Sequence, residues 1–210
     1  MNKKSLLLGC GSRWGAEFTQ VLADNNYIID LVGKTGVKHD NVSNILIDWH
    51  TITLDNLKEI IPIKQYDLIF FNQNSGGSVN DHWLKNGNII PLDSWNKNYW
   101  IDTQIPYYII HHLSSTFNER TKIGWMLTGL IQGNDKNYFQ YAGYACSKAS
   151  NLHIMRGFSQ FMQGIFFAIN PWWFPLDQYN KDAKDILKII ESLSSIDSGN
   201  SFNKDGSKWI

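Results

Sequence analysis

The feature that most narrows the fold of this chain lies in its first twenty-five residues. Residues 5–9, SLLLG, read as a short buried strand, and the chain then turns through CGSRWGAEF. From 15 to 25, GAEFTQVLADN carries Phe18, Val21 and Leu22 at helical spacing. Gly9, Gly11 and Gly15 make G-x-G-x-x-x-G, a near relative of the dinucleotide fingerprint G-x-G-x-x-G, in which Trp14 holds the last position. One glycine permits the tight turn, another lets backbone approach a pyrophosphate, and the helix N-terminus offers its N–H groups to the anion. Gly9, Gly11, Ser12, Arg13, Trp14 and Gly15 are therefore cofactor-binding candidates, with a purely structural turn as the alternative.

The rest of the chain repeats the strand-then-helix rhythm. Strands are predicted at 27–33, 44–48, 66–72, 122–128, 164–169 and, briefly, 201–203. Helices are predicted at 54–61 with Asp55 as cap, at 94–118 as one long helix kinked by Pro106, at 139–162 and at 181–193. The segment 77–92 is polar and irregular. Several strands are continuously apolar, which is the pattern of a parallel sheet covered on both faces. A chain of 210 residues fits one domain, 1–210. Lys plus Arg equals Asp plus Glu at 19 each, so there is no electrostatic footprint for nucleic acid and no polybasic membrane segment. No stretch approaches 18 apolar residues, and MNKKSLLLGCGS has too short an apolar run for a signal peptide. The two cysteines, Cys10 and Cys146, make neither a disulfide framework nor a zinc site. A soluble cytoplasmic protein with no metal is expected.

Two further features bear on chemistry. The second strand ends LVGKTG, with Lys34 at its tip and Arg13 in the glycine turn. An acid at such a tip bonds the ribose 2′-hydroxyl of NAD, whereas a basic residue accommodates the 2′-phosphate of NADP. Two cations favour NADP(H), with NAD(H) still open and two solvated side chains as the alternative. In YAGYACSKAS (141–150), Tyr144 and Lys148 stand four apart, on one face of the predicted helix. Tyr138 and Tyr141 have no lysine at that spacing. A surface phenol beside a solvated amine is the plain reading of the pair; a charge-tuned acid–base is the other.

With its glycine turn at the start and Tyr-x-x-x-Lys after strand five, the chain resembles the short-chain dehydrogenase/reductase family over nearly its whole length. The resemblance implies a Rossmann-like, doubly wound parallel sheet of about seven strands in the order 3-2-1-4-5-6-7. Asp48 in LIDWHT stands where the family has an acid contacting adenine, and FFNQNSGG resembles its Asn-Asn-Ala-Gly segment, giving Asn74 as a cofactor contact. SWNKNYWIDTQIPYY aligns through Trp95 with the segment carrying a catalytic Asn, where this chain has Asp102. GWMLTG matches the strand that delivers a catalytic Ser, with Thr128 as the nearest hydroxyl, and YACSK matches Tyr-x-x-x-Lys. AINPW resembles the Pro-Gly segment after strand six, and the tail SGNSFNKDG the family's last strand.

What the resemblance implies is an NADP(H)-dependent oxidoreductase for a small carbonyl or alcohol substrate. Tyr144 is its acid–base, and Lys148 lowers the phenol's pKa from near 10 and bonds the nicotinamide ribose. Thr128 holds the substrate oxygen, and Asp102 serves the proton relay. Thr128 lies 16 positions before Tyr144, a long gap for the family. The stretch of about 170–200 that should cover substrate is short. Trp172, Trp173 and Phe174 at its start are either the substrate wall or core packing. An amide both donates and accepts, whereas the ionised Asp102 only accepts. That departure leaves a non-catalytic nucleotide-binding or interaction protein as the second reading. The apolar, aromatic faces of 99–113 and 152–167 suit pairing into a homodimer or homotetramer.

Overall fold

A computed structural model of the chain describes residues 2–74, 92–132, 142–171 and 175–209. The polar segment 77–91, Tyr138, Tyr141 and the aromatic run Trp172, Trp173 and Phe174 lie outside the described residues. Seven strands form one sheet: β1 (Lys3–Leu8), β2 (Tyr27–Gly33), β3 (Val42–Leu46), β4 (Leu68–Phe71), β5 (Lys122–Met126), β6 (Ile165–Asn170) and β7 (Asn200–Asn203). Their order is β3-β2-β1-β4-β5-β6-β7, and every neighbouring pair is parallel. This is the Rossmann-like architecture that the sequence resemblance implied.

Helices cover both faces because side chains alternate along each strand. On one face Leu6, Leu8, Ile69, Phe71, Ile123, Trp125 and Phe166 pack against Leu57 of α2 (Leu54–Ile60), Ile109 and Leu113 of α4 (Ile105–Leu113), and Leu152 and Met155 of α5 (Ala142–Phe161). On the other, Leu7, Ile29, Leu31, Leu68, Phe70, Phe167 and Ile169 pack against Phe18 and Leu22 of α1 (Arg13–Asp24) and Ile186 and Ile190 of α6 (Tyr179–Ser192). Within the 170–200 stretch, α6 packs into the core with Ala183, Ile186 and Ile190 fully buried. Asp30, inside β2, is also buried; Tyr66 Oη donates to it at 2.7 Å, and Lys64 pairs with it at 2.6 Å.

Two local expectations are corrected. The cap of α2 is Thr53, whose Oγ1 accepts from Asn56 N–H at 3.2 Å; Asp55 lies inside the first turn. The long helix over 94–118 is four pieces: α3 (Leu92–Tyr99), a π-helical turn (Trp100–Gln104), α4 and a 3-10 turn (Ser114–Thr116). Proline has no N–H and clashes with the carbonyl four residues back. For Pro106 that carbonyl belongs to Asp102, and Ile105 N–H reaches back five residues to Trp100 O. The break therefore falls just before the proline, where a π turn re-registers the backbone.

Phe70 lies fully buried between Phe18 and Phe167, with ring centroids 5.1 and 6.2 Å away. Phe70→Ala is expected to cost about 3–5 kcal/mol, read as a lower urea midpoint at unchanged slope.

Candidate active site

In a parallel sheet all strands end on one edge, and ligands bind in the crevice where the order reverses direction. Here that point lies between β1 and β4. Gly9, directly after β1, has φ +72, and a Cβ there would stand 2.4 Å from the Cα of Gln73, which follows β4. Asn72 Nδ2 donates to Gly9 O at 3.1 Å. A Cβ on Gly11 would meet Thr35 O at 1.7 Å, so the glycine turn also presses on the loop that carries Lys34. The turn is thus held from both sides by backbone.

Helix α1 begins at this turn. Ser12 is its N-cap but makes no capping bond with its side chain, and the first turn of the helix holds no acid. Arg13 is exposed and sits at φ +50, a region that favours glycine. The Trp14 indole points into the core, stacked on Phe18 at 5.0 Å, so this residue can meet a ligand only through its backbone. Lys34, Asp48 and Asn74 are exposed after β2, β3 and β4, at the same edge. Asp48 Oδ1 accepts from His50 N–H at 3.1 Å, which fixes its carboxylate in a local turn.

The densest polar cluster joins the π turn to α5. Asp102 and Lys148 are both buried, with Lys148 Nζ 3.6 Å from Asp102 Oδ1. Lys148 Nζ also donates to Gln73 O at 2.8 Å, and Ser147 Oγ is within 3.1 Å of Asp102 Oδ2. The Asp102 carbonyl, deprived of a helical donor by Pro106, accepts from Asn151 Nδ2 at 2.5 Å. Thr103 Oγ1 donates to Ser147 O at 3.0 Å. Three links of the chain, the β4 exit, the π turn and α5, therefore converge on one ammonium.

Tyr144 lies one turn before Lys148 as the spacing predicts, and the ammonium stands 5.6 Å from its ring centroid. The expected lowering of its pKa is reversed. The phenol is held above its ordinary value, first by burial and then by the charge of Asp102. Asp102 and the Gln73 carbonyl engage the cation that was to stabilise the phenolate. Thr128 follows β5 at the same edge, partly buried, and its Oγ1 is 3.4 Å from Leu130 N.

Ser147, Asn151, Thr103 and Gln73, which bond within this cluster, and Asn72, which bonds the glycine turn, are candidates that the sequence reading missed. One signal was available: Tyr144, Ser147, Lys148 and Asn151 fall at helical spacing and form a polar row on a helix that buries its neighbours. Gln73 contributes through its backbone, for which side-chain identity carries no signal.

No family model and no curated protein matches this sequence. Solved structures do. A carbonyl reductase from Pseudomonas aeruginosa PAO1 superimposes with a TM-score of 0.81 at 11% identity, covering 100% of this chain and 99% of its own. The same reductase in complex with NADP gives 0.80 at 12% identity, with 100% and 99% covered. A short chain dehydrogenase family protein from Francisella tularensis subsp. tularensis SCHU S4 gives 0.76 at 15%, covering 98% of each chain. The chain thus shares the fold of these short-chain dehydrogenase and carbonyl reductase structures over nearly its whole length.

Removing one partner of a buried pair leaves the other charge uncompensated. Asp102→Ala is expected to destabilise the fold by about 3–5 kcal/mol in chemical unfolding, far more than a surface Asp48→Ala.

Proposed function

We propose that this protein is an NADP(H)-dependent oxidoreductase that interconverts a carbonyl compound and its alcohol. The observation that carries the reading is the meeting of Tyr144 and Lys148 with the β1–β4 crevice, through the Lys148 bond to Gln73 beside Gly9. The crevice also fits the cofactor on its own terms. The N-terminal N–H groups of α1 have no helical acceptors, the first turn of α1 brings no competing carboxylate, and Arg13 in the turn and Lys34 after β2 are both exposed.

In this reading Gly9, Gly11, Ser12 and Gly15 take the pyrophosphate by backbone, as does Trp14. Arg13 and Lys34 take the 2′-phosphate. Asp48 and Asn74 contact the adenosine, and Lys148 the nicotinamide ribose. Bound cofactor supplies or accepts the hydride. Tyr144 exchanges the proton with the substrate oxygen, Thr128 holds that oxygen, and Trp172, Trp173 and Phe174 wall the substrate. The chain works as a homodimer or homotetramer through α4 and α5, where Tyr107 and Tyr108 are exposed and Tyr107 stacks on Phe158 at 5.6 Å.

One observation favours a second reading, a protein that binds the nucleotide without turning it over: the Lys148 ammonium is engaged by Asp102. The two readings part on one variant. Tyr144→Phe is expected to lower carbonyl-dependent NADPH oxidation by roughly 10²–10⁴-fold while NADPH still binds. NADPH binding without turnover of any carbonyl, and with Tyr144→Phe unchanged, favours the second reading; no NADPH binding at millimolar concentration eliminates both. Arg13→Ala with Lys34→Ala is expected to weaken NADPH binding by roughly tenfold or more and NADH binding little, measured by cofactor fluorescence.

A further inference from the structure

An amine one turn from a phenol stabilises the phenolate only if its charge is not already engaged. In this chain it is. The Lys148 ammonium is shared between the Asp102 carboxylate at 3.6 Å and the Gln73 carbonyl at 2.8 Å. Asp102 is in turn held in place. Ser147 Oγ lies against its Oδ2, Asn151 grips its carbonyl, and the π turn before Pro106 aims the residue at α5. All four side chains, Asp102, Ser147, Lys148 and Asn151, are buried, so water does not screen the pair.

Two charged groups reach the phenol among the described residues. They are Lys148 from its own helix and Asp102 from the π turn. Cys146 stands on the same helix. The β4 exit presents Gln73, the turn Gly129–Gln132 carries nothing titratable, and α3 offers Tyr99, whose Oη pairs with Ser150 Oγ at 2.8 Å. The charged residues of α3, Asp93 and Lys97, are exposed, and among the described residues of these elements none replaces the cation that Asp102 has engaged.

We propose that Asp102 is a positioning residue that holds the Lys148 ammonium to itself and to the Gln73 carbonyl. Tyr144 then carries its proton throughout the neutral range and serves as the acid that completes reduction of a carbonyl substrate. The proposal rests on the nicotinamide-oxidoreductase reading. In the step it describes, the carbonyl carbon gains a hydride from the reduced nicotinamide, which is oxidised. The carbonyl oxygen gains the proton of Tyr144 Oη, and the phenolate left behind is reprotonated from water. The high resting affinity of this phenol for its proton is consistent with the geometry, burial contributing most and the Asp102 charge next. Reduction is then flat with pH through neutrality. Alcohol oxidation, which needs the phenolate, rises about tenfold per pH unit over the same range.

The direct test needs no cofactor and no turnover. Protein carrying tyrosine labelled with 13C at Cζ is titrated by NMR from pH ~6 upward, with Tyr144→Phe assigning the resonance. The expected result is a Tyr144 signal that stays that of a neutral phenol to pH ~10, and that titrates about one unit or more lower in Asp102→Asn. A wild-type midpoint at or below pH ~8, or an unchanged midpoint in folded Asp102→Asn, overturns the proposal. If Asp102→Asn does not fold, the wild-type midpoint decides alone. Failure here is distinct from failure of the oxidoreductase reading: a phenol titrating near neutrality in a protein that still reduces carbonyls with NADPH sinks only the role of Asp102.

Discussion

The buried pair of Lys148 and Asp102 is the contact on which the site depends. Burying either charge alone costs several kcal/mol, and their mutual attraction offsets this only when the remaining hydrogen-bonding capacity is also met. Part of that capacity is met at each end: Lys148 donates to the Gln73 carbonyl, and Ser147 Oγ, which also donates to the Tyr144 carbonyl at 2.8 Å, lies 3.1 Å from the far oxygen of Asp102. Because the partners come from α5, the π turn and the exit of β4, the pair fixes where the helix lies against the end of the sheet. Tyr144, one turn away on α5, takes its position from the same contact.

Pro106 makes that arrangement possible. A regular helix through 100–106 would have spent the Asp102 carbonyl on an N–H that proline lacks. The π turn leaves that carbonyl to Asn151 and turns the residue toward α5. Thr103, next in sequence, ties the same turn to the Ser147 carbonyl. A single imino acid thus changes local backbone register, and the change in register builds a polar cluster in an otherwise apolar layer.

Most of the scaffold was legible because its signals are local and repeated. Apolar runs such as YIIDLVG and GIFFAI, rich in β-branched and aromatic residues, read as strands of a covered sheet, and glycine is favoured where backbone meets backbone at φ +72, as at Gly9. The Tyr144–Lys148 spacing was legible for the same reason, since helical geometry alone brings them together. What was not legible is the partner that engages Lys148. Asp102 was recognised as a departure, but its contact with the amine spans two elements and turns on the exact register before Pro106, which spacing does not encode. The sign of the effect on Tyr144 follows first from burial of the phenol and then from the charge of Asp102, neither of which spacing encodes. Gln73 acts through backbone, and Trp14, read as part of the cofactor turn, is claimed by the core beneath it.

In the proposed function one crevice, between β1 and β4, receives the nicotinamide end of a dinucleotide beside Tyr144 and Lys148. A crystal structure with NADP bound tests it most directly. The pyrophosphate is expected at the N-terminus of α1 and the nicotinamide ribose within hydrogen-bonding reach of Lys148 Nζ, with the ring open toward the Tyr144 hydroxyl. Cofactor lodged elsewhere, or a Tyr144 hydroxyl facing away from the ring with Lys148 making no contact to the ribose, contradicts it.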